Sequence, residues 1–351
     1  SSIFFILPAC GLLSSILPTI VSNWLRFQRK AVHAVVFTLS NVCINVVLNL
    51  WFVYHVKLGV QGILTATLLS NCIASIYVFT LLHGWIKFSF FSLDRLKEML
   101  RFAMPLLPTS IAFWVLNSSS SYIIEFFHGK AEVGLYSVGN MIAAAVTMVV
   151  GAFQMAWGPF AFSIIEKPEA KNTFSVILTL YSVVMSFVAL TVALFAKEAL
   201  QIFTNERYHS AYGVAGILAF NGIIYGYAYI ASIGASIAKD NKPLAIGVLF
   251  AAILTAFLYF LLVPIFGKEG AACSMALGYT IVPIYLFYRS QKLWNIPFKF
   301  GITVFSFLLA VAIFIFSSTF SYSTNRTEVI SKFLLLLLYL FGNYIYAVNV
   351  Y

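Results

Sequence analysis

Runs of about twenty apolar residues, separated only by short charged clusters, recur from one end of this 351-residue chain to the other. A helix needs about that length of mostly apolar sequence to cross the hydrocarbon core of a bilayer. Strand-type alternation is absent from the runs, so helices rather than a barrel are expected. Charged residues make up only 9% of the chain and hydrophobic ones 62%, whereas a soluble globular chain carries about 25% charged residues. The sequence therefore reads as an all-α polytopic membrane protein.

Eleven transmembrane helices are expected, at 3–22, 34–55, 60–82, 102–124, 134–164, 173–196, 213–238, 244–266, 270–288, 301–320 and 333–350. The segment from Ser92 to Arg101 is of another kind. It places Leu93, Leu96, Met99 and Leu100 on one helical face and charges on the other, after the aromatic run Phe88, Phe90 and Phe91. That pattern predicts a helix lying in the membrane interface.

Lysine and arginine counts in alternate loops predict the orientation. One set of loops holds fourteen, among them Arg26, Arg29, Lys30, Arg95, Lys167 and Arg289; the opposite set holds seven, among them Lys57, Lys130, Lys268 and Lys332. The first set is expected in the cytoplasm, and it accounts for most of the net charge of +10. Nucleic-acid binding is a poor reading of that charge, because no basic stretch is long or accompanied by a soluble fold. Cys10, Cys43, Cys72 and Cys273 all fall inside expected spans, where thiols behave as small apolar residues.

An internal repeat is visible. "LGVQGILTATLLSN", Leu58 to Asn71, and "FGKEGAACSMALGY", Phe266 to Tyr279, each make a Gly-x-x-Gly turn between an outward-running and an inward-running span, 208 residues apart. Both copies run the same way across the bilayer, the parallel repeat of transporters built as two bundles. Three expected spans lie between the matched units, so the repeating bundle has six, and the first bundle shows only its last three. On that reasoning about three spans, roughly 100 to 120 residues at ~1.5 Å per residue plus short loops, are expected ahead of Ser1. The chain opens on Ser rather than Met, and its first span has no charged leader region.

"LRFAMPLLPTSIAFWVLNSSSSYIIEFFHGKAEVGLYSVG", Leu100 to Gly139, followed by "GAFQMAWGPFAFSI", Gly151 to Ile164, resembles the start of the second bundle of the bacterial polysaccharide flippases. These are the Wzx-type O-antigen and exopolysaccharide transporters, relatives of the MATE drug exporters within the MOP superfamily. The resemblance implies two six-helix bundles plus two extra C-terminal helices. It divides the chain into 1–83, the last three helices of the N-terminal bundle; 84–101, a cytoplasmic interfacial linker helix; 102–288, the C-terminal bundle; and 289–351, the two extra helices. It further implies a multi-pass protein of the bacterial inner membrane that flips a polyprenyl-diphosphate-linked oligosaccharide, with no cofactor and with H+ or Na+ as a coupling ion. The alternative it leaves open is a MATE-like cation-coupled exporter of drugs or other amphipathic molecules. Ser120 and Ser121 stand where many members carry an acid and a base, and Met141 where many carry a basic residue, so no role of those charges transfers.

Polar residues inside the spans are the candidates for a substrate cavity. Asn41, Asn45 and Asn49 stack three carboxamides on one helical face at i, i+4 and i+8. They read either as a stripe of interhelical hydrogen bonds or as a wall facing sugar hydroxyls, to which amides both donate and accept. Asn117, followed by Ser118 to Ser121, should face protein or a wet cavity, although serines also satisfy themselves on i−4 carbonyls at packed faces. Asn140, Gln154, Asn221 and Tyr225 complete the set, with Tyr227 and Tyr229 nearby. Pro108, Gly158 and Pro159 are hinge candidates, because an interior proline removes a backbone donor and crowds the preceding turn; Pro105 either does the same or occupies a first helical turn.

Catalysis finds no support. His33, His55, His83, His128 and His209 are scattered without metal-ligand spacing, and the eleven acids lie in loops or at span edges. A diphosphate would call for Arg or Lys inside a cavity, and the spans as read contain none in their middle.

Overall fold

The computed structural model describes residues 3–28, 30–82, 91–104, 106–238, 240–319 and 325–350. Pro105, His83, Phe88, Phe90 and the first part of the expected linker lie outside them. Every regular element among the described residues is helical. Nine of the helices are long and apolar enough to cross a membrane, and the protein is a multi-pass integral membrane protein. The chain falls into two compact units, Ser1–Leu96 and Lys97–Tyr351.

The first unit holds α1 (Ile3–Phe27), α2 (Ala31–Leu50) and α3 (Val60–Leu82), with α2 ending in a π-helical turn, Trp51–His55. Each helix packs on the other two. A small core of Val21, Leu25, Ala34, Phe37, Ala74 and Val78 lies between them. Helix α1 continues past the expected end of its span, and this carries Arg26 into its last turn. The connection from α2 to α3 turns on Gly59, whose φ of +55° lies in the left-handed region that costs a residue with a Cβ about 1–2 kcal/mol.

Helix α4 (Leu93–Ala103) carries Leu93, Leu96, Met99 and Leu100 exposed along one face. The second unit then holds α5 (Leu106–His128), α6 (Lys130–Ile164), α7 (Ala170–Leu194), α8 (Ala196–Phe203), α9 (Tyr212–Ala231), α10 (Ile233–Ile237), α11 (Lys242–Leu293), α12 (Phe300–Thr319) and α13 (Asn325–Val350). The stretch α11 is two helices that meet at Gly267, where φ is +54° and ψ −131°, one in each of the expected spans 244–266 and 270–288. Helix α5 is absent from the nine apolar helices, because Asn117 and its four serines lower its hydropathy.

Helix α9 is the axis of this unit and packs against α6, α7 and α11. Its glycines make the approach possible: a Cβ at Gly226 would run into the Tyr181 hydroxyl, and one at Gly216 into the Phe314 ring. Small residues that let helices approach are the usual device where lipid supplies no hydrophobic drive between them. Buried hydroxyls supply the second tie. Ser182 Oγ and Tyr227 Oη lie 2.6 Å apart, and Ser182 donates to the Thr303 carbonyl of α12 at 2.8 Å. Tyr339 of α13 donates to the Val183 carbonyl at 2.9 Å. At one end of α13 a partly enclosed network joins Lys332 to Glu198 and Glu328, and Lys197 to Glu328.

Candidate functional site

The second unit brings one aromatic and amide cluster together from three helices. Along α9, Asn221, Tyr225 and Tyr229 follow one another at i, i+4 and i+8 and share a face. The Tyr225 and Tyr229 hydroxyls are 2.9 Å apart. Helix α5 contributes Phe113, edge-on to Tyr225 with ring centres 6.1 Å apart, and α11 contributes Tyr279, 6.4 Å from Phe113 and 6.3 Å from Tyr225. Asn117, one turn beyond Phe113, donates to the Phe113 carbonyl at 2.7 Å and to the Tyr279 hydroxyl at 3.3 Å.

Chemically the cluster combines ring faces and edges with hydroxyls and a carboxamide, and its members carry no charge. Rings present apolar surface while their hydroxyls bond outward, and an amide donates and accepts at once. That is the lining a neutral, hydroxyl-rich ligand requires. Tyr227, two residues from Tyr225, faces the opposite way into the core and is held by Ser182, so it is a packing residue.

The remaining candidates are placed as follows. Ser120 is buried and Ser121 is half-buried. Asn221 is buried at one end of the tyrosine stripe, with its Oδ1 unpartnered. On α6, Gln154 is half-buried with an enclosed, unpartnered Nε2, while Asn140 is exposed. No hydrogen bond among the described residues joins those two to the cluster.

In the first unit the asparagine stripe is bonded partly within α2 and partly across to α3. Asn49 donates to Asn45 within α2 at 2.8 Å, and Asn45 donates across to Ser70 of α3 at 3.0 Å, the interhelical reading of the stripe. Asn41 differs in that its contact with Asn71 is stretched to 3.5 Å; its Oδ1, like that of Asn49, is enclosed without a partner. It faces a cavity of about 230 Å³ between α1, α2 and α3 that also holds Arg26. No basic residue stands in the middle of α1, α2 or α3, and Arg26 reaches this cavity from the last turn of α1. Arg26 reads as a loop residue only if α1 stops at residue 22, and the helix runs on to Phe27.

The hinge candidates are corrected in part. Pro108 stands third in α5, inside the first turn, where its missing donor has no helical acceptor to lose. It starts a helix and does not bend one. Helix α6 passes through Gly158 and Pro159 without interruption, although the proline leaves the carbonyl one turn earlier without its helical donor. Among the described residues of the second unit a break in an apolar stretch of membrane length falls instead on the repeat glycine, Gly267.

Phe113 and Tyr279 are the cluster members that the sequence did not single out. Both lie in segments already marked, the polar run after Pro108 and the second copy of the Gly-x-x-Gly repeat. Among the described residues no three side chains of metal-binding type come together.

Residues 2–165 match the model of a family described as polysaccharide biosynthesis protein, a little under half of the chain. No curated protein matches the sequence. Solved structures do. A mutant MATE transporter superposes with a TM-score of 0.65 at 18% identity, covering 78% of this chain and 64% of its own. The lipid II flippase MurJ in an inward closed conformation gives 0.56 at 12% identity, covering 88% and 66%. A MOP superfamily transporter from Pyrococcus furiosus gives 0.61 at 17%, covering 74% and 62%. The chain thus spans less than two thirds of the length of these three, and at such identities the likeness is one of fold.

Proposed function

We propose that this chain, a multi-pass membrane protein with the fold that MATE transporters and the lipid II flippase MurJ share, flips a polyprenyl-diphosphate-linked oligosaccharide across the bacterial cytoplasmic membrane for surface polysaccharide assembly. The observation that carries this reading is the uncharged cluster of Phe113, Asn117, Tyr225, Tyr229 and Tyr279 within the membrane-length helices of the second unit. Moving a sugar head through bare hydrocarbon costs several kcal/mol for each polar group left unbonded. A lining of rings, hydroxyls and amide lowers that cost while the prenyl tail stays in lipid. The polysaccharide family match over residues 2–165 supports the same class of cargo.

Alternating access between the two helix bundles is the movement that delivers the sugar to the far face. The exporter alternative draws less support. A carrier of organic cations calls for a carboxylate inside the membrane. Among the described residues Asp and Glu sit in loops, on the short helices or near the ends of long ones, apart from Glu269 beside the Gly267 break, and Glu269 is bound to Lys268 at 3.3 Å.

Complementation tests the proposal. The full-length protein, expressed and inserted in a bacterium that lacks its own O-unit flippase, should restore surface polysaccharide for at least one of several repeat-unit structures. No restoration across the panel, with the protein shown in the membrane, rejects the reading.

A further inference from the structure

The cavity of the first unit has chemistry of a different kind from the aromatic cluster. Eight of its ten lining residues are polar or charged. Its volume of about 230 Å³ is roughly that of seven waters at ~30 Å³ each. On α1, Ser22 and Arg26 are one turn apart, and Asn23 stands beside them. Across from them α2 supplies Thr38 and Asn41, and α3 supplies Asn71.

Arg26 is half-buried in this cavity, yet its charge is uncompensated. Its hydrogen bond within the unit goes to Asn23 Oδ1 and is stretched to 3.5 Å. None of the ion pairs formed by described residues includes Arg26. The sequence explains why: no Asp or Glu occurs before Asp94. The carbonyl end of α1 favours a cation in its last turn by only about 0.3–1 kcal/mol, and the guanidinium, whose contact with Asn23 is exposed, keeps most of its donors open to an anion.

The neighbours complete an oxyanion site. Ser22 Oγ and Thr38 Oγ1 lie 3.4 Å apart at the cavity wall. Asn41 Nδ2 is held to Asn71 only at 3.5 Å, so it is free to turn, and its enclosed Oδ1 still lacks a donor. A guanidinium fork, hydroxyls and an amide are the donors that phosphoryl oxygens select.

We infer that the Arg26 cavity between α1, α2 and α3 is an anion site that seats a phosphoryl group at the membrane face where the Lys and Arg bias places the cytoplasm. Three sources share this chemistry: a polyprenyl diphosphate, an anionic phospholipid headgroup and free phosphate. Only the first rests on the proposed flippase function.

The test is ligand binding by the full-length protein in nanodiscs of phosphatidylethanolamine, with polyprenyl diphosphate, phosphatidylglycerol and inorganic phosphate as separate probes. At least one should bind, and R26Q should weaken it by about tenfold or more, the weight of a charge-assisted hydrogen bond. Arg26→Lys should fall between, and Asn41→Asp, which puts a carboxylate into the cavity, should also weaken binding. The probe that responds identifies the source. If R26Q and Asn41→Asp, each with a wild-type melting midpoint, bind all three probes within twofold of wild type, the site is overturned. Arg26-dependent binding without any complementation rejects the flippase reading and leaves this site standing. Normal complementation by R26Q together with unchanged binding rejects the site alone.

Discussion

Gly59 and Gly267, 208 residues apart, both have a positive φ, +55° and +54°. Each is the first glycine of a Gly-x-x-Gly turn that reverses the chain between two membrane-length helices. A residue with a Cβ there loses about 1–2 kcal/mol, so Gly59→Ala and Gly267→Ala should both lower the thermal midpoint of the detergent-solubilised protein. The two should not be equal. A Cβ at Gly59 meets nothing within 4 Å, whereas one at Gly267 lies 3.1 Å from Glu132 Oε1, the atom that holds Lys268 Nζ at 3.0 Å. Gly267→Ala should therefore cost about 0.5–1 kcal/mol more, a strained polar contact. A Gly59→Ala protein as stable as wild type would show that the left-handed turn is not required.

The aromatic cluster separates hydroxyl from ring. Tyr225→Phe keeps its edge contacts with Phe113 and Tyr279 but loses the 2.9 Å link to Tyr229. Removing one hydrogen bond of about 1 kcal/mol should cut transport severalfold. Tyr225→Ala removes the ring as well and should abolish it. Tyr227→Phe serves as the contrast, since its hydroxyl bonds Ser182 inside the core; it should lower stability while leaving the per-molecule transport rate unchanged. Surface polysaccharide normalised to membrane-inserted protein reads all three, and equal losses for Tyr225→Phe and Tyr227→Phe would remove the cluster from the transport path.

The ion network that ties α13 to α8 should be sensitive to removal of a single charge. The Lys332 side chain is only 5% exposed and touches both Glu198 and Glu328. Lys332→Met leaves two carboxylates enclosed with Lys197 as their remaining cation, and breaking a buried pair from one side costs about 3–5 kcal/mol. The exposed pair Lys130 and Glu125, 3.9 Å apart, sets the baseline, where Lys130→Ala should cost less than about 0.5 kcal/mol. Thermal midpoints in detergent at low and high salt measure the contrast, and only the second variant's small effect should shrink further with salt.

What the sequence made legible follows from how a bilayer acts as solvent. Length and apolar composition locate helices, so 134–164, 173–196 and 301–320 correspond to α6, α7 and α12 within a few residues. The way a helix faces is another matter. Lipid and protein interior are both apolar, so neither face of α9 announces itself, and nothing in the run of tyrosines separates Tyr225, in the cluster, from Tyr227, in the core. For the same reason Asn140 and Asn221 read alike, although one is exposed and the other buried. Arg26 was hidden for a different reason. A basic residue after an apolar run marks a loop by default, and only the extension of α1 to Phe27 turns it into a cavity residue.

Helix α9 offers the sharpest test of packing in the second unit. Gly226 faces Tyr181 of α7, whose hydroxyl donates to the Ile223 carbonyl at 3.2 Å. An added methyl at Gly226 overlaps that hydroxyl and its ring carbon, with Val150 of α6 3.0 Å away on another side. The tyrosine would have to leave its bond to α9 and disturb its ring contacts with Phe153 and Tyr227. Overpacking of this sort costs about 1–3 kcal/mol, and loss of the hydroxyl's bond about 1 more. Gly226→Ala should therefore fold poorly. Adding Tyr181→Phe in the same chain removes the clashing oxygen and should recover part of the midpoint, a coupling that independent effects would not produce. Strict additivity of the two substitutions would mean that α7 and α9 do not meet at this contact.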